Sequence, residues 1–166
     1  MKRPAAKVAV VTGAARGIGY AIARKFLGLG YRVALLDIDR AMLRKSFRRL
    51  SEHGRVLAQH CDVSNPRQVR AAIGAVARRF RRIDALVNNA GIAVFKPILK
   101  TSAKEWMRVL DVNLTGPFLC TQACALVMLK NGELSRPVDW FDLFYHGIPW
   151  LLLIIKAGAS LKSRTT

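Results

Sequence analysis

Three closely spaced glycines lie between an apolar run and an amphipathic run near the start of the chain. Residues 12–19 read TGAARGIG and follow the β-branched, apolar residues 7–12. A loop in this position can bind phosphate, because the backbone N–H groups of a helix N-terminus point at the anion. Gly13 permits a tight turn, Gly17 lets the backbone approach a pyrophosphate, and Gly19 lets the helix pack closely on the strand. The pattern therefore predicts a pyrophosphate-binding turn.

A carboxylate, Asp37, ends the next apolar run, eighteen positions after Gly19. At that place it can accept hydrogen bonds from the ribose diol of an adenosine, and it would repel a 2′-phosphate. Arg16 is a nearby cation that could soften this repulsion. We therefore expect NAD rather than NADP as the cofactor. The alternative interpretation is that Asp37 is only a turn residue.

Cysteine and histidine do not form a pattern of metal ligands. Cys61, Cys120 and Cys124 are too few and too irregularly spaced for a secreted disulfide framework, and the histidines are scattered. Cys120 and Cys124 lie four residues apart in an apolar helical pattern, which favours small buried side chains over a redox or metal role. We expect a cytoplasmic protein without a bound metal.

Apolar periodicity predicts the elements that position these residues. Short β-branched runs alternate with longer amphipathic runs, which is typical of right-handed crossovers in a parallel sheet. The fourth run is apolar nearly throughout, which predicts burial on both faces. The predicted strands are 7–12, 32–37, 55–60 and 83–87, and the predicted helices are 18–29, 40–53 and 66–80.

A further helix is predicted from Ser102, where Glu105 three residues later completes a capping box. It runs to about residue 130, with an interruption near Gly116 and Pro117. After Gly132 neither alternation nor a buried-strand run continues. We expect a dinucleotide-binding domain over residues 1–130 and a divergent segment, not an independent domain, over residues 131–166.

The chain is strongly basic, with a net charge of +18. Residues 1–130 hold 24 Lys and Arg against 7 Asp and Glu, which is +17 of that total. Several of these cations fall on predicted amphipathic helices, where they usually form a solvated face. Nucleic-acid binding through this charge is an alternative that no recognition motif supports. The most apolar late stretch, residues 141–155, is interrupted by polar residues and proline, so we expect no membrane span.

Together these motifs resemble the classical short-chain dehydrogenase/reductase family over roughly residues 5–130. Four motifs occur in the family's order and in the expected strand or loop contexts: the glycine loop with Asp37, Cys61-Asp62-Val63, Asn88-Asn89-Ala90-Gly91, and Asn113. The resemblance implies a three-layer α/β fold of Rossmann type, a doubly wound parallel sheet that is incomplete here, with about four recognisable strands and an irregular C-terminal tail.

The resemblance also implies roles for particular residues. Asp62 and Val63 would contact the adenine ring, and Asn113 would kink its helix and hold a water in a proton relay as the catalytic residue. Residues Asn89 to Gly91 would line the cofactor site after the fourth strand. The cofactor-binding set is then Thr12, Gly13, Arg16, Gly17, Ile18, Gly19, Asp37, Asp62, Val63, Asn89, Ala90 and Gly91.

The family's tyrosine, with a lysine four residues later, is not found. Tyr145 is followed four positions on by Pro149, and the nearest downstream lysine is Lys156. Without a neighbouring cation a phenol is a poor base at neutral pH. Ser135 likewise has no partner at the family's spacing.

Two functions follow from these observations. One is an oxidoreductase that moves hydride between NAD(H) and a small alcohol or carbonyl substrate. The other, which the missing pair favours, is a dinucleotide-binding module with little or no turnover. The loss of pattern after about residue 130 suggests the hypothesis of a truncated or frameshifted reading frame. The family often forms homo-oligomers through the helices near residues 101–130 and the helix after them, and the second of these is not recognisable here, so a homo-oligomer is one possibility that the resemblance leaves open.

Overall fold

A four-stranded parallel sheet with helices on both faces forms the described part of the chain. The structure is a computed structural model, and it describes residues 6–130. The strand order is β3-β2-β1-β4, so the chain reverses its direction of winding between β3 and β4. The strands are β1 (Val8–Thr12), β2 (Arg32–Asp37), β3 (Val56–His60) and β4 (Ala85–Val87), and the helices are α1 (Gly17–Gly28), α2 (Arg40–Ser51), α3 (Pro66–Phe80), α4 (Ala103–Leu110) and α5 (Gly116–Lys130).

The two central strands are buried on both sides because helices cover both faces of the sheet. In β1, Val8 and Val10 point into one apolar cluster and Val11 points into the other. The same alternation in β2 places Leu36 in the first cluster and Leu35 in the second. α3 and α5 supply the helical side of the first cluster, and α1 and α2 supply that of the second. The predicted three-layer, doubly wound architecture is therefore confirmed.

Side chains cap three of the first four helices at their N-termini. Asp39 accepts from two backbone N–H groups of α2, and Asn65 does the same for α3. Ser102 and Glu105 form the predicted capping box at the start of α4. No side chain of the described residues caps α1, which leaves the first N–H groups of that helix without a side-chain acceptor.

Three details differ from the sequence-based expectation. β4 is half-buried along its length rather than buried on both faces, because within residues 6–130 it pairs only with β1. The long C-terminal helical region is interrupted one turn earlier than predicted, by a π-helical turn at Asp111–Thr115 that precedes Gly116 and Pro117. A short 3₁₀ turn at Ile98–Lys100, which the periodicity did not predict, leads into α4.

One helical stretch, Ala103–Lys130, is long and apolar enough to cross a membrane on length and composition alone. The sequence-based expectation of no membrane span concerned residues 141–155 and not this stretch. A core helix of a soluble protein meets the same criterion, and Cys120 and Cys124 within this stretch belong to the apolar core. The stretch is therefore weak evidence for a membrane span.

The predictions for residues 131–166 lie outside the described residues. They include the domain boundary at about residue 130, the absence of a further strand, the irregular tail, and the expectation that Tyr145 lacks a catalytic partner.

Candidate functional site

A cavity of about 240 Å³ opens where the carboxyl ends of the strands meet. This edge of a doubly wound sheet, at the point where the strand order reverses, is where such folds bind ligands. The structure brings most of the predicted cofactor-binding residues together at this place. The cavity is lined by Gly13, Arg16, Asp37, Ile38, Cys61, Asp62, Val63, Asn89, Ala90, Gly91, Ile92, Arg108 and Val112.

The glycine loop has the backbone geometry that its sequence predicts. Gly13 and Gly17 have φ angles of +62° and +56°, in the region that favours glycine. At Gly19 an added Cβ would lie 2.2 Å from the carbonyl oxygen of Gly13, so the start of α1 packs on the loop with no room for a side chain. An added Cβ at Gly17 would meet nothing within 4 Å. That open space lies beside the uncapped N–H groups of α1.

The predicted residues Thr12, Gly17, Ile18 and Gly19 do not line the cavity itself. Ile18 is largely exposed at the start of α1, whereas Gly19 is buried beneath it. Thr12 is buried at the end of β1 and acts through hydrogen bonds.

The Thr12 hydroxyl joins the ends of β1 and β4. It accepts hydrogen bonds from the backbone N–H groups of Asn89 and Ala90, each at 3.0 Å, and donates to the Val87 carbonyl at 3.3 Å. The Asn89 side-chain amide donates in turn to the carbonyls of Thr12 and Gly13, both at 3.1 Å. These bonds fix the glycine loop against the segment after β4.

Asp37 holds two loops at the end of β2. One carboxylate oxygen accepts from the N–H of Ala15 at 2.8 Å, and the other accepts from the N–H of Asp39 at 2.9 Å. Asp37 is thus more than an isolated turn residue, because it connects the glycine loop to the start of α2. Each oxygen keeps a further lone pair, which a ribose hydroxyl could use.

Asp62 and Val63 follow β3 on the other side of the cavity. The Asp62 carboxylate accepts from the N–H and the hydroxyl of Ser64, at 3.0 and 2.6 Å, and from Arg108 at 3.2 Å. Partial burial acts to raise the pKa of Asp62, but the hydrogen bonds from Ser64 and Arg108 and the charge of Arg108 outweigh it and hold that pKa below its usual value. Val63 packs so closely on the start of α5 that an added Cβ at Gly116 would lie 2.8 Å from it.

Asn113 lies in the π-helical turn beside the Gly91 end of the cavity. Its side chain accepts from the N–H of Ile92 and donates to the carbonyl of Ile92, both at 2.9 Å. This pair of bonds connects the irregular turn to the loop after β4. The resemblance implied a helix distortion at Asn113, and the distortion is present. Its role in a proton relay stays a prediction.

Three thiols lie in the core beneath this edge of the sheet. Cys61, Cys120 and Cys124 are all buried and free, as the apolar pattern predicted for the latter two. Burial raises the pKa of Cys61 and of Cys124 to about 12 and that of Cys120 to about 11. At neutral pH they are therefore protonated and poor nucleophiles. Within residues 6–130 no three His, Cys, Asp or Glu side chains form a group that could hold a metal ion.

A sequence model described as short chain dehydrogenase matches residues 7–134 of the chain. Among curated proteins, a D-threitol dehydrogenase of Mycolicibacterium smegmatis is 42% identical over 127 residues, which are 76% of this chain and 49% of that protein. The chain spans about half the length of the first curated relatives that it matches.

Solved structures show the same likeness. A short chain dehydrogenase/reductase from Burkholderia phymatum in complex with NAD is 36% identical with a TM-score of 0.74, over 77% of this chain and 46% of that one. A metagenomic short-chain oxidoreductase in complex with NADP is 40% identical with a TM-score of 0.70, over 75% of this chain and 57% of that one.

Proposed function

Because the chain belongs to the short chain dehydrogenase family, we propose that it is an oxidoreductase that binds a nicotinamide dinucleotide and acts on an alcohol or carbonyl substrate. The observation that carries the proposal is the uncapped N-terminus of α1, which lies behind a glycine loop at the rim of a cavity on the ligand-binding edge of the sheet. The bound cofactor would supply or accept the hydride.

The glycine loop would hold the pyrophosphate. α1 offers N–H groups without a side-chain acceptor and the positive end of its dipole, and both favour an anion. The open space at Gly17 leaves the backbone accessible to phosphate oxygens. Thr12 and Asn89 would keep the loop in this conformation, and Ile18 would flank the phosphates from the first turn of the helix.

The two ends of the dinucleotide would lie on opposite sides of the loop. Asp37 would accept hydrogen bonds from the adenosine ribose, and Asp62 and Val63 would contact the adenine. Ala90 and Gly91 would leave room for the nicotinamide half after β4. The negative charge of Asp37 favours NAD, and Arg16 on the same cavity wall is the one feature among these residues that would help NADP. Relatives with NAD and with NADP both occur among the solved structures.

Fewer of the family's catalytic residues than of its cofactor-binding residues are recognisable in this chain. Asn113 is the recognisable family residue, and its side-chain amide is bound to the Ile92 backbone at the Gly91 end of the cavity. A tyrosine and lysine at the family's spacing do not occur in the sequence, in which Pro149 lies four residues after Tyr145. The second candidate function is therefore a dinucleotide-binding module with little turnover.

The test is titration of the purified full chain with NADH, followed by cofactor fluorescence, together with a carbonyl-reduction assay. Gly17→Val places a β-branched side chain at a positive φ beside the phosphate site. Gly30→Val is the matched control, because Gly30 also has a positive φ, +81°, and open space around it, but lies at the far end of α1.

Saturable binding that is lost in Gly17→Val and kept in Gly30→Val is the expected result. Turnover in addition to binding would support the oxidoreductase, whereas binding without turnover would support the module. Absence of NADH binding by the folded chain would refute both candidates.

We also propose a compartment and an assembly state for the chain. Three free, buried thiols agree with a reducing compartment such as the cytoplasm. Self-association is proposed because the family often forms homo-oligomers and α5 exposes apolar side chains. We propose no nucleic-acid or membrane partner.

A further inference from the structure

An arginine on α4 reaches the wall of the cavity and closes a ring of hydrogen bonds. Arg108 donates to the Ser64 hydroxyl oxygen at 2.7 Å and to Asp62 Oδ2 at 3.2 Å. The Ser64 hydroxyl donates to Asp62 Oδ1 at 2.6 Å. Both Arg108 and Asp62 line the cavity. The three side chains therefore form one unit that connects the loop after β3 to α4.

This ring fixes how Asp62 is presented to a ligand. Oδ1 is used by the N–H and hydroxyl of Ser64, and the backbone N–H of Asp62 donates to Gln68 at 2.9 Å. Oδ2 accepts one bond, from Arg108, and a carboxylate oxygen can accept a second. The free acceptor position of the unit is thus on Oδ2, and Arg108 determines where that oxygen lies.

We propose that Arg108 is a positioning residue for the adenine end of the dinucleotide, because it holds the ionised Asp62 with Oδ2 ready to accept from the exocyclic amino group of the base. The inference rests on the proposed function and adds a residue outside the motifs that carried the resemblance. A carboxylate only accepts hydrogen bonds, so a base with an oxygen at that position would be repelled. Arg108 would then contribute to discrimination between bases and not to affinity alone.

The charge and burial of the group agree with this role. The side chains of Asp62 and Arg108 are 21% and 46% exposed, so the pair is partly screened by water. An aspartate is ionised at neutral pH at its ordinary pKa, and the pKa of Asp62 is lower still. Among residues 6–130, Arg108 is the cation within 4 Å of this carboxylate.

The test compares two ligands that differ at one position of the base. NAD⁺ carries an amino group there, and nicotinamide hypoxanthine dinucleotide carries an oxygen. Both are titrated by calorimetry into the full chain and into Arg108→Met, Arg108→Lys and Ser64→Ala. Arg48→Met is the matched control, since Arg48 is exposed on α2 away from the cavity and the substitution removes the same charge.

We expect the unsubstituted chain to bind NAD⁺ at least about tenfold more tightly than the hypoxanthine analogue. Arg108→Met should weaken NAD⁺ binding roughly fivefold, a modest factor because the ion pair is partly exposed, and leave the analogue nearly unchanged. The preference for NAD⁺ should therefore narrow. The NAD⁺ affinities of Arg108→Lys and Ser64→Ala should lie between those of the unsubstituted chain and Arg108→Met. Arg48→Met should not change the ratio of the NAD⁺ affinity to the affinity for the analogue.

A merely structural role would give a different result. Equal weakening of both ligands in Arg108→Met and Ser64→Ala, or no change in either variant, would overturn the proposal while leaving dinucleotide binding intact. If the unsubstituted chain binds neither ligand, the proposed function itself fails, and that outcome is distinct because it needs no variant.

Discussion

At the scale of single residues, Gly19 is constrained by space and not by backbone conformation. An added Cβ would lie 2.2 Å from the Gly13 carbonyl oxygen and 2.8 Å from its carbon, both backbone atoms that cannot rotate away. We predict that Gly19→Ala lowers the free energy of unfolding by about 1–3 kcal/mol, as overpacking of a rigid site does. Urea denaturation measures this change.

The matched control for Gly19 is on the same helix. An added Cβ at Gly28 meets nothing within 4 Å, so Gly28→Ala should be neutral or stabilising by up to about 1 kcal/mol. Equal destabilisation by the two substitutions would contradict the steric explanation.

The Asp37 carboxylate gives a second prediction at this scale, about cofactor preference. Asp37→Asn keeps the size of the side chain and one carbonyl acceptor but removes the negative charge. We expect the full chain to bind NADH more tightly than NADPH. In Asp37→Asn the Kd for NADPH divided by the Kd for NADH should fall by about tenfold or more. Fluorescence titration with both cofactors measures it. A preference for NADPH before substitution would instead assign the dominant role to Arg16.

The residue types of the site could be predicted from the sequence, but their partners could not. Glycine spacing and Asp37 predicted the loop and its place at the sheet edge, because both depend on local backbone geometry. Thr12 and Asn89 are 77 positions apart, and no periodicity relates them. Arg108 reaches Ser64 over 44 positions and appeared in the sequence as one cation among many. Such contacts exist only once the tertiary fold brings together segments that lie far apart in the sequence.

At the scale of elements, the Thr12 hydroxyl links the end of β1 to the end of β4 and to the two residues after Asn88, in addition to the backbone pairing of the two strands. Thr12→Val preserves shape but leaves the N–H groups of Asn89 and Ala90 without their acceptor in a partly buried place. We predict a loss of about 2–4 kcal/mol in the free energy of unfolding, from one to two unsatisfied donors. Thr12→Ser retains the hydroxyl and should cost about 1 kcal/mol for the lost methyl group. If both substitutions lower the free energy of unfolding by a similar amount, packing of the Thr12 side chain contributes more than its hydrogen bonds.

The buried thiols after β3 and in α5 predict how stability depends on alkaline pH. Their folded pKa values, about 11 to 12, lie above the reference value of 9.0. Above pH 9 the unfolded chain therefore releases thiol protons that the folded chain retains, and stability falls as pH rises. The slope is about 1.4 kcal/mol per pH unit for each proton.

Urea midpoints at pH 8 and pH 10 test this prediction for the thiols. A variant with alanine at Cys61, Cys120 and Cys124 is the comparison, since lysine and tyrosine titrate equally in both proteins. As pH rises from 8 to 10, the urea midpoint of the thiol-containing chain should fall further than that of the alanine variant. A constant difference would mean that the thiols already ionise in the folded state.

The elements were predictable where burial pattern and capping agree. The Ser102 capping box and the strand run of residues 32–37 lie where the sequence placed them. The apolar run before Asn88 predicted a strand but not its exposure, since composition cannot tell a central strand from an edge strand. The resemblance implied a helix distortion at Asn113, but the sequence did not indicate its π-helical form or the two hydrogen bonds between the Asn113 side chain and the Ile92 backbone.

At the scale of the whole molecule, α5 is apolar on more of its surface than the sheet covers. Cys120 and Cys124 face the core, whereas Phe118, Leu126 and Leu129 on the opposite side are 62%, 59% and 49% exposed. A helix that is apolar all round is normally buried on all sides. The chain spans about half the length of the first relatives that it matches.

The last prediction concerns this exposed face of α5. We expect the full chain to self-associate at micromolar concentration, because burial of these exposed apolar side chains by a second copy is favourable. Phe118→Lys with Leu126→Lys should shift the molar mass measured by light scattering toward the monomer. Leu29→Lys is the matched control, since Leu29 is 62% exposed on the far side of the sheet, at the end of α1. A chain that is monomeric before substitution, with a face inaccessible to an apolar dye, would show that its own remaining residues cover α5. The family resemblance would then not extend to assembly.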